Sequence, residues 1–198
     1  MTTADVLSIA RDDVPDPPLR PLPTGVAELL GRVDAPARLV AHLRAVHDVA
    51  LQIVNRVARQ CPALSFDREA VLFGAATHDI GKALHVAELS GPGSLHEAAG
   101  RELLLAQGVS AELARFAATH ASWGGVGIGI EDLLVSLADK VWKNKRVSDL
   151  EDLVVAALAE AGGRPVWEEF LDLDEFLTHV GDRADARLAY QTRHPVHG

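Results

Sequence analysis

From Pro36 to about residue 60 nothing in the sequence interrupts a helix. Leu39, His42, Val46, Val49, Ala50, Ile53 and Val57 recur at helical spacing on one side, with Arg44, Asp48, Gln52, Asn55 and Arg59 opposite. An amphipathic helix of this length must bury one side along its whole run, so the rest of the chain has to supply the covering surface. Pro36 suits a first helical turn, and Cys61-Pro62 ends the element. No segment alternates as a half-buried strand would, and no internal repeat is present. The covering elements are therefore helices, and the expected fold class is all-α.

The same spacing rules place the shorter helices. One runs over about 25–33, ended by the Asp34-Ala35-Pro36 turn. Another starts on an Asp67 N-cap and aligns Val71, Ala75, His78 and Asp79. Ser94-Leu95-His96-Glu97 reads as a capping box for a helix ending at Gly108, with Gly100 leaving room for close approach. Ser110 then caps a helix through Leu113, Phe116, Ala117 and His120, and a further helix covers about 131–145. Two more, at about 149–162 and 166–190, are divided by Gly162-Gly163-Arg164-Pro165. They are expected to pack through Leu150, Leu153, Val154, Leu158, Phe170, Leu177 and Val180. Residues 1–24 carry Pro15, Pro17, Pro18, Pro21 and Pro23 and read as an extended or disordered arm. A single helical domain follows over 25–198, with its core at 36–146 and additional C-terminal helices over 147–192. The glycine-rich loop Gly124–Gly129 lacks the strand-to-helix context of a phosphate-binding loop and reads as a flexible connection or lid.

Bulk properties narrow the function. The formal net charge of −9 argues against general nucleic-acid binding, which is driven by phosphate neutralisation. The charge is uneven: residues 147–198 hold 4 Lys/Arg against 11 Asp/Glu, so the first part is nearly balanced and can support a local anion site. Cys61 is the only cysteine, which excludes an intrachain disulfide and a thiolate metal cluster. No apolar run approaches the roughly 20 residues of a membrane span. The acidic, Pro-rich N-terminus is not that of a signal peptide, and the expected location is cytoplasmic. A homo-oligomer is left open.

The chemistry concentrates in Thr77-His78-Asp79-Ile80-Gly81-Lys82. An imidazole and a carboxylate adjacent at the end of an apolar run offer a first-row metal two ligands, and Lys82 could meet an anion beside it. A buried helix-end His bonded to a capping Asp would look the same. On other helices His42 or His47, His96, His120 and the mid-helix Asp139 follow in order, and each taken singly also fits an ordinary packed residue. Lys140, Lys143, Lys145 and Arg146 cluster after Asp139, as a solvated helix C-terminus or as phosphate contacts.

Taken together, this order resembles the HD superfamily of metal-dependent phosphohydrolases over about residues 36–146. His78-Asp79-Ile80-Gly81-Lys82 and Leu137-Ala138-Asp139-Lys140 both look like its motifs. The resemblance implies an HD-domain helical bundle in which His42, His78, Asp79 and Asp139 hold one divalent metal and His96 and His120 help hold a second. The metals would be drawn from Mn, Fe, Co, Zn, Ni or Mg. His42 is preferred to His47 because Val46, Ala50, Ile53 and Val54 follow it at the family's spacing. The paired histidines are similar to those of two-metal members, including bacterial symmetrical diadenosine-tetraphosphate hydrolases; the Gly-Tyr-Pro signature of cyclic-dinucleotide phosphodiesterases is absent. The implied activity is hydrolysis of a phosphate ester or anhydride in a small phosphorylated molecule such as a nucleotide. Asp79 and Lys82 would be catalytic, and Lys82 and Lys143 would bind substrate. Trp123, Trp142, His85 and Glu88 are candidate pocket-lining residues. Di-iron HD oxygenases share the ligand order, and a non-catalytic binding module shares the fold.

Overall fold

Helix α3, Ala37–Gln60, runs through the middle of the molecule and buries the apolar stripe from Leu39 to Val57. This computed structural model describes residues 3–12 and 16–196. Against α3 pack α4 (Arg68–Thr77) and α8 (Ile130–Val141), which also pack on each other. α4 begins on Asp67, whose carboxylate accepts the Ala70 N–H at 2.9 Å. α8 ends at Val141, earlier than expected, which leaves Lys143 and Lys145 beyond the helix. No strand is present among the described residues. Nor is any helix among them long and apolar enough to cross a membrane.

The second side of α3 is covered too over its first half, contrary to its polar pattern. Arg44 and His47 are both buried. The Arg44 guanidinium donates to the carbonyls of Ile9 at 2.6 Å, Leu19 at 3.1 Å and Arg20 at 3.2 Å, so it ties the N-terminal segment across the helix. That segment is not extended throughout. Thr3–Leu7 forms helix α1 and Ser8–Asp12 a π-helical turn, with Val6 and Ala10 buried. The prolines all lie further on, and residues 16–23, which hold four of them, stay irregular. Residues 1–2, 13–15 (including Pro15) and 197–198 lie outside the described residues. α2, Thr24–Arg32, then leads to a turn in which Asp34 takes φ of 49°.

Three further departures have local causes. The expected helix from Ser110 divides into α6 (Ala111–Ala114) and α7 (Phe116–Thr119) around Arg115, whose side chain reaches the Asp132 carboxylate on α8. The expected helix over 166–190 divides into α10 (Val166–Gly181) and α11 (Ala184–Thr192). Buried Arg187 fastens α11 to the end of α8 by donating to the Trp142 carbonyl, and to the end of α10 by donating to the Val180 carbonyl, both at 2.7 Å. α9 (Ser148–Gly162) and α10 bury Leu150, Val154, Leu158, Leu177 and Val180, but Leu153 and Phe170 face outward because each helix is covered on one side only.

α5, Leu95–Ala106, packs against α7 and against the 3-10 turn Ile80–Ala83 that follows α4. A Cβ on Gly81 would stand 2.0 Å from the His96 carbonyl and 2.6 Å from the Gly100 nitrogen. Glycine at 81 and 100 is what lets the two backbones touch. The apolar residues form two clusters, and α3 contributes to both, with Val40 and Leu43 in one and Ala41 and Val46 in the other. His42 sits between them.

Candidate metal centre

Six side chains from five segments converge on one buried spot. His42 comes from α3, His78 and Asp79 from the end of α4, His96 from the first turn of α5, His120 from the end of α7, and Asp139 from α8. All are buried. They fall into two sets of converging ligand atoms, His42–His78–Asp79–Asp139 and Asp79–His96–His120, with the atoms of each set within 4.8 Å of one another. His47, the alternative on α3, is in neither.

Asp79 belongs to both sets through different oxygens. Oδ2 lies 3.0 Å from His42 Nε2 and 3.6 Å from His78 Nε2, and Lys82 Nζ reaches it at 2.6 Å. Oδ1 lies 2.9 Å from His96 Nε2 and 3.5 Å from His120 Nε2. Asp139 Oδ1 is 3.4 Å from His78 Nε2, while Lys140 engages its Oδ2.

The imidazoles are oriented from behind. His78 Nδ1–H donates to the Ala75 carbonyl at 3.0 Å and His120 Nδ1–H to the Ala117 carbonyl at 3.1 Å. His96 Nδ1–H donates to Glu88 at 2.5 Å. In each case the outer nitrogen holds the proton and leaves an Nε2 lone pair pointing inward, as for a metal-binding histidine. His96 Nε2 and Asp79 Oδ1 lie 2.9 Å apart without good hydrogen-bond geometry, so two buried polar atoms face a common point. His42 Nε2 and His78 Nε2 meet within hydrogen-bond distance, at 3.4 Å. Buried lone pairs collected in this way are costly without a partner. An oxygen and nitrogen donor set with no thiolate suits a divalent first-row cation at each position.

Electrostatics agree with that fit at Asp79, Asp139, His42 and His120, and differ at His96. Burial opposes ionisation of Asp79, but His78, His42 and His96 hold its carboxyl well below the usual range. Asp139 behaves alike, with burial outweighed by His78 and Lys140. Burial lowers the pKa of His42, and it lowers that of His120 to about 4, so both imidazoles are neutral at pH 7. His96 moves upward: burial would lower it, but Asp79 and Glu88 raise it.

The cluster opens into a cavity of about 460 Å³ whose lining includes Lys82, Lys140, Lys143, Trp142, Glu88, Leu188 and Gln191. Trp142 packs edge-on against His42 with ring centroids 4.9 Å apart. Trp123 and His85, named from the sequence as lining candidates, are not among the lining residues. Trp123 instead lies under the Lys140 ammonium, 5.7 Å from the ring centroid. Leu188 and Gln191 carry no sequence signal, since they reach the cavity only because Arg187 docks α11 there. The Ser94 capping box does not form; Ser94 makes no side-chain cap bond, and the Glu88 carboxylate accepts the Leu95 and His96 N–H groups instead.

Fold and site together define an all-helical protein built round a buried histidine–aspartate cluster compatible with divalent metal ions. Residues 39–143, more than half of the chain, match the HD domain, and the chain belongs to that family, whose members are mostly metal-dependent hydrolases. No curated protein and no solved structure matches it.

Proposed function

We propose that the chain is a two-metal phosphohydrolase acting on a phosphate ester or anhydride of a nucleotide or related small molecule. The observation that carries this reading is the division of Asp79, one oxygen facing His42, His78 and Asp139, the other facing His96 and His120. His42, His78, Asp79 and Asp139 would hold one ion, and Asp79, His96 and His120 the other. Such ions supply hydroxide from bound water at neutral pH and polarise a phosphoryl oxygen.

The remaining steps belong to the chain itself. Asp79, held ionised, orients the attacking water. Lys82, 2.6 Å from Asp79 Oδ2, stands where charge develops on the phosphoryl group and stabilises it. Lys140 and Lys143 line the same cavity and draw a polyanion towards the cluster. The cavity is of a size that takes a small-molecule ligand. Leu188, Gln191 and Trp142 offer apolar and amide contacts for the uncharged part of a nucleotide.

Metal-reconstituted protein should release phosphate from at least one member of a panel of mononucleotides, dinucleoside polyphosphates and sugar phosphates. The reading fails if no member yields more than Asp79→Ala protein does. Oxygen consumption followed in the same reactions tests the oxygenase that the same ligands would allow.

A further inference from the structure

We propose that Glu88 is a positioning residue that builds the second metal position, the one faced by His96, His120 and Asp79 Oδ1; this rests on the two-metal reading above. Glu88 is carried on a 3-10 turn, Val86–Leu89, and its carboxylate meets the first turn of α5. One oxygen accepts the Leu95 N–H at 3.1 Å. The other accepts the His96 N–H at 3.2 Å and the His96 Nδ1–H at 2.5 Å. A single carboxylate thus ends the helix and grips both the backbone and the ring of the same ligand.

Three consequences follow for His96. A proton is held on Nδ1, the ring cannot rotate without losing a short charge-assisted bond, and Nε2 is left facing Asp79 Oδ1 at 2.9 Å within the cluster. His78 and His120 are oriented only by neutral carbonyls, which withdraw less of the proton. At the first position, His42 Nδ1 has no hydrogen-bond partner among the described residues. The carboxylate-backed imidazole therefore belongs to the second position alone.

The loop is shaped to admit this group. A Cβ on Gly93 would stand 2.4 Å from the Glu88 carboxyl carbon and from its Oε1. Alanine at 93 would displace the end of a flexible side chain and leave the backbone in place. It supplies a route to the same effect that does not touch Glu88 chemically.

The test is a manganese titration of metal-stripped wild-type, Glu88→Gln and Gly93→Ala proteins, followed by electron paramagnetic resonance. Wild-type protein should take up two equivalents and show a spin-coupled pair. Both variants should lose roughly 10–100-fold in affinity for one equivalent and none for the other, giving an isolated manganese signal. His96→Gln should lose the same equivalent, and adding Glu88→Gln to it should change nothing further, as expected when one residue acts through the other. Two equivalents at wild-type affinity in both variants would overturn the proposal, as would a further loss in the double variant. Fewer than two equivalents in wild-type protein would instead remove the two-metal reading, and the role of Glu88 with it.

Discussion

Asp79→Asn should abolish the metal-linked stabilisation of both positions at once, whereas His42→Asn and His120→Asn should each abolish one. The reason is geometric: Oδ2 faces the His42–His78 side and Oδ1 the His96–His120 side. An amide there offers one neutral oxygen and turns two N–H groups on the other set, so neither position keeps an anionic ligand from residue 79. An ion held at 100 times its dissociation constant stabilises a protein by about 2.7 kcal/mol, and two such ions by about 5 kcal/mol. In a chain of this size each kcal/mol moves the melting temperature by about 2–4 °C. Saturating Mn²⁺ should therefore raise the wild-type melting temperature by roughly 10–20 °C over metal-free protein. Each histidine variant should keep about half of that rise, and Asp79→Asn almost none. Scanning calorimetry with and without metal gives the increment within each variant. That within-variant difference is the right measure, because Asp79→Asn also loses its 2.6 Å pairing with Lys82 and shifts the metal-free value by itself. An Asp79→Asn protein that kept half the rise would refute the sharing of Asp79. Histidine variants that each lost all of it would refute the two independent positions.

Other consequences concern single residues. Lys82→Met should lower kcat about 100-fold while both equivalents of metal stay bound, as atomic absorption of the purified protein would report. Burial holds the His47 pKa to about 4, so folded His47 is neutral while the unfolded chain protonates near 6.5. Its contribution is complete above pH 6.5 and is lost as pH falls towards 4, by up to about 3 kcal/mol. His47→Gln should flatten the acid side of the stability curve by that amount in urea unfolding with chelator present, and an unchanged slope would count against it. Arg44→Met would leave the carbonyls that Arg44 serves, those of Ile9, Leu19 and Arg20, short of their donor. It should cost about 2–4 kcal/mol and open the segment before residue 24 to limited proteolysis. Wild-type resistance at that segment would persist in the variant if Arg44 were not the tie.

Much of the framework is legible along the chain. The stripe from Leu39 to Val57 announces α3, and Asp67 announces the start of α4, because helix period and N-capping are local properties. The order His42, His78-Asp79, His96, His120, Asp139 is likewise a linear pattern. The misreadings share a cause. A helical wheel sees one helix at a time, so Arg44 looks exposed although the N-terminal segment covers it. A capping rule sees three residues ahead of Ser94 but not Glu88 arriving from another turn. Leu153 and Phe170 look like core residues until α9 and α10 prove to be covered on one side only.

The choice between His42 and His47 marks the boundary. Both lie on α3 and both are buried, and at about 100° per residue they point about 140° apart. Sequence alone determined that the chain is helical and that histidines and aspartates recur on successive helices. Only the packing of α4 and α8 against α3, with α5 closing on the turn after α4 and α7 on α4 and α8, decided which imidazole meets Asp79 and which oxygen of Asp79 it meets. The docking of α11 decided that Leu188 and Gln191 would close the cavity. Those outcomes depend on distances of a few ångströms between residues far apart in the chain, and helical spacing carries no record of them.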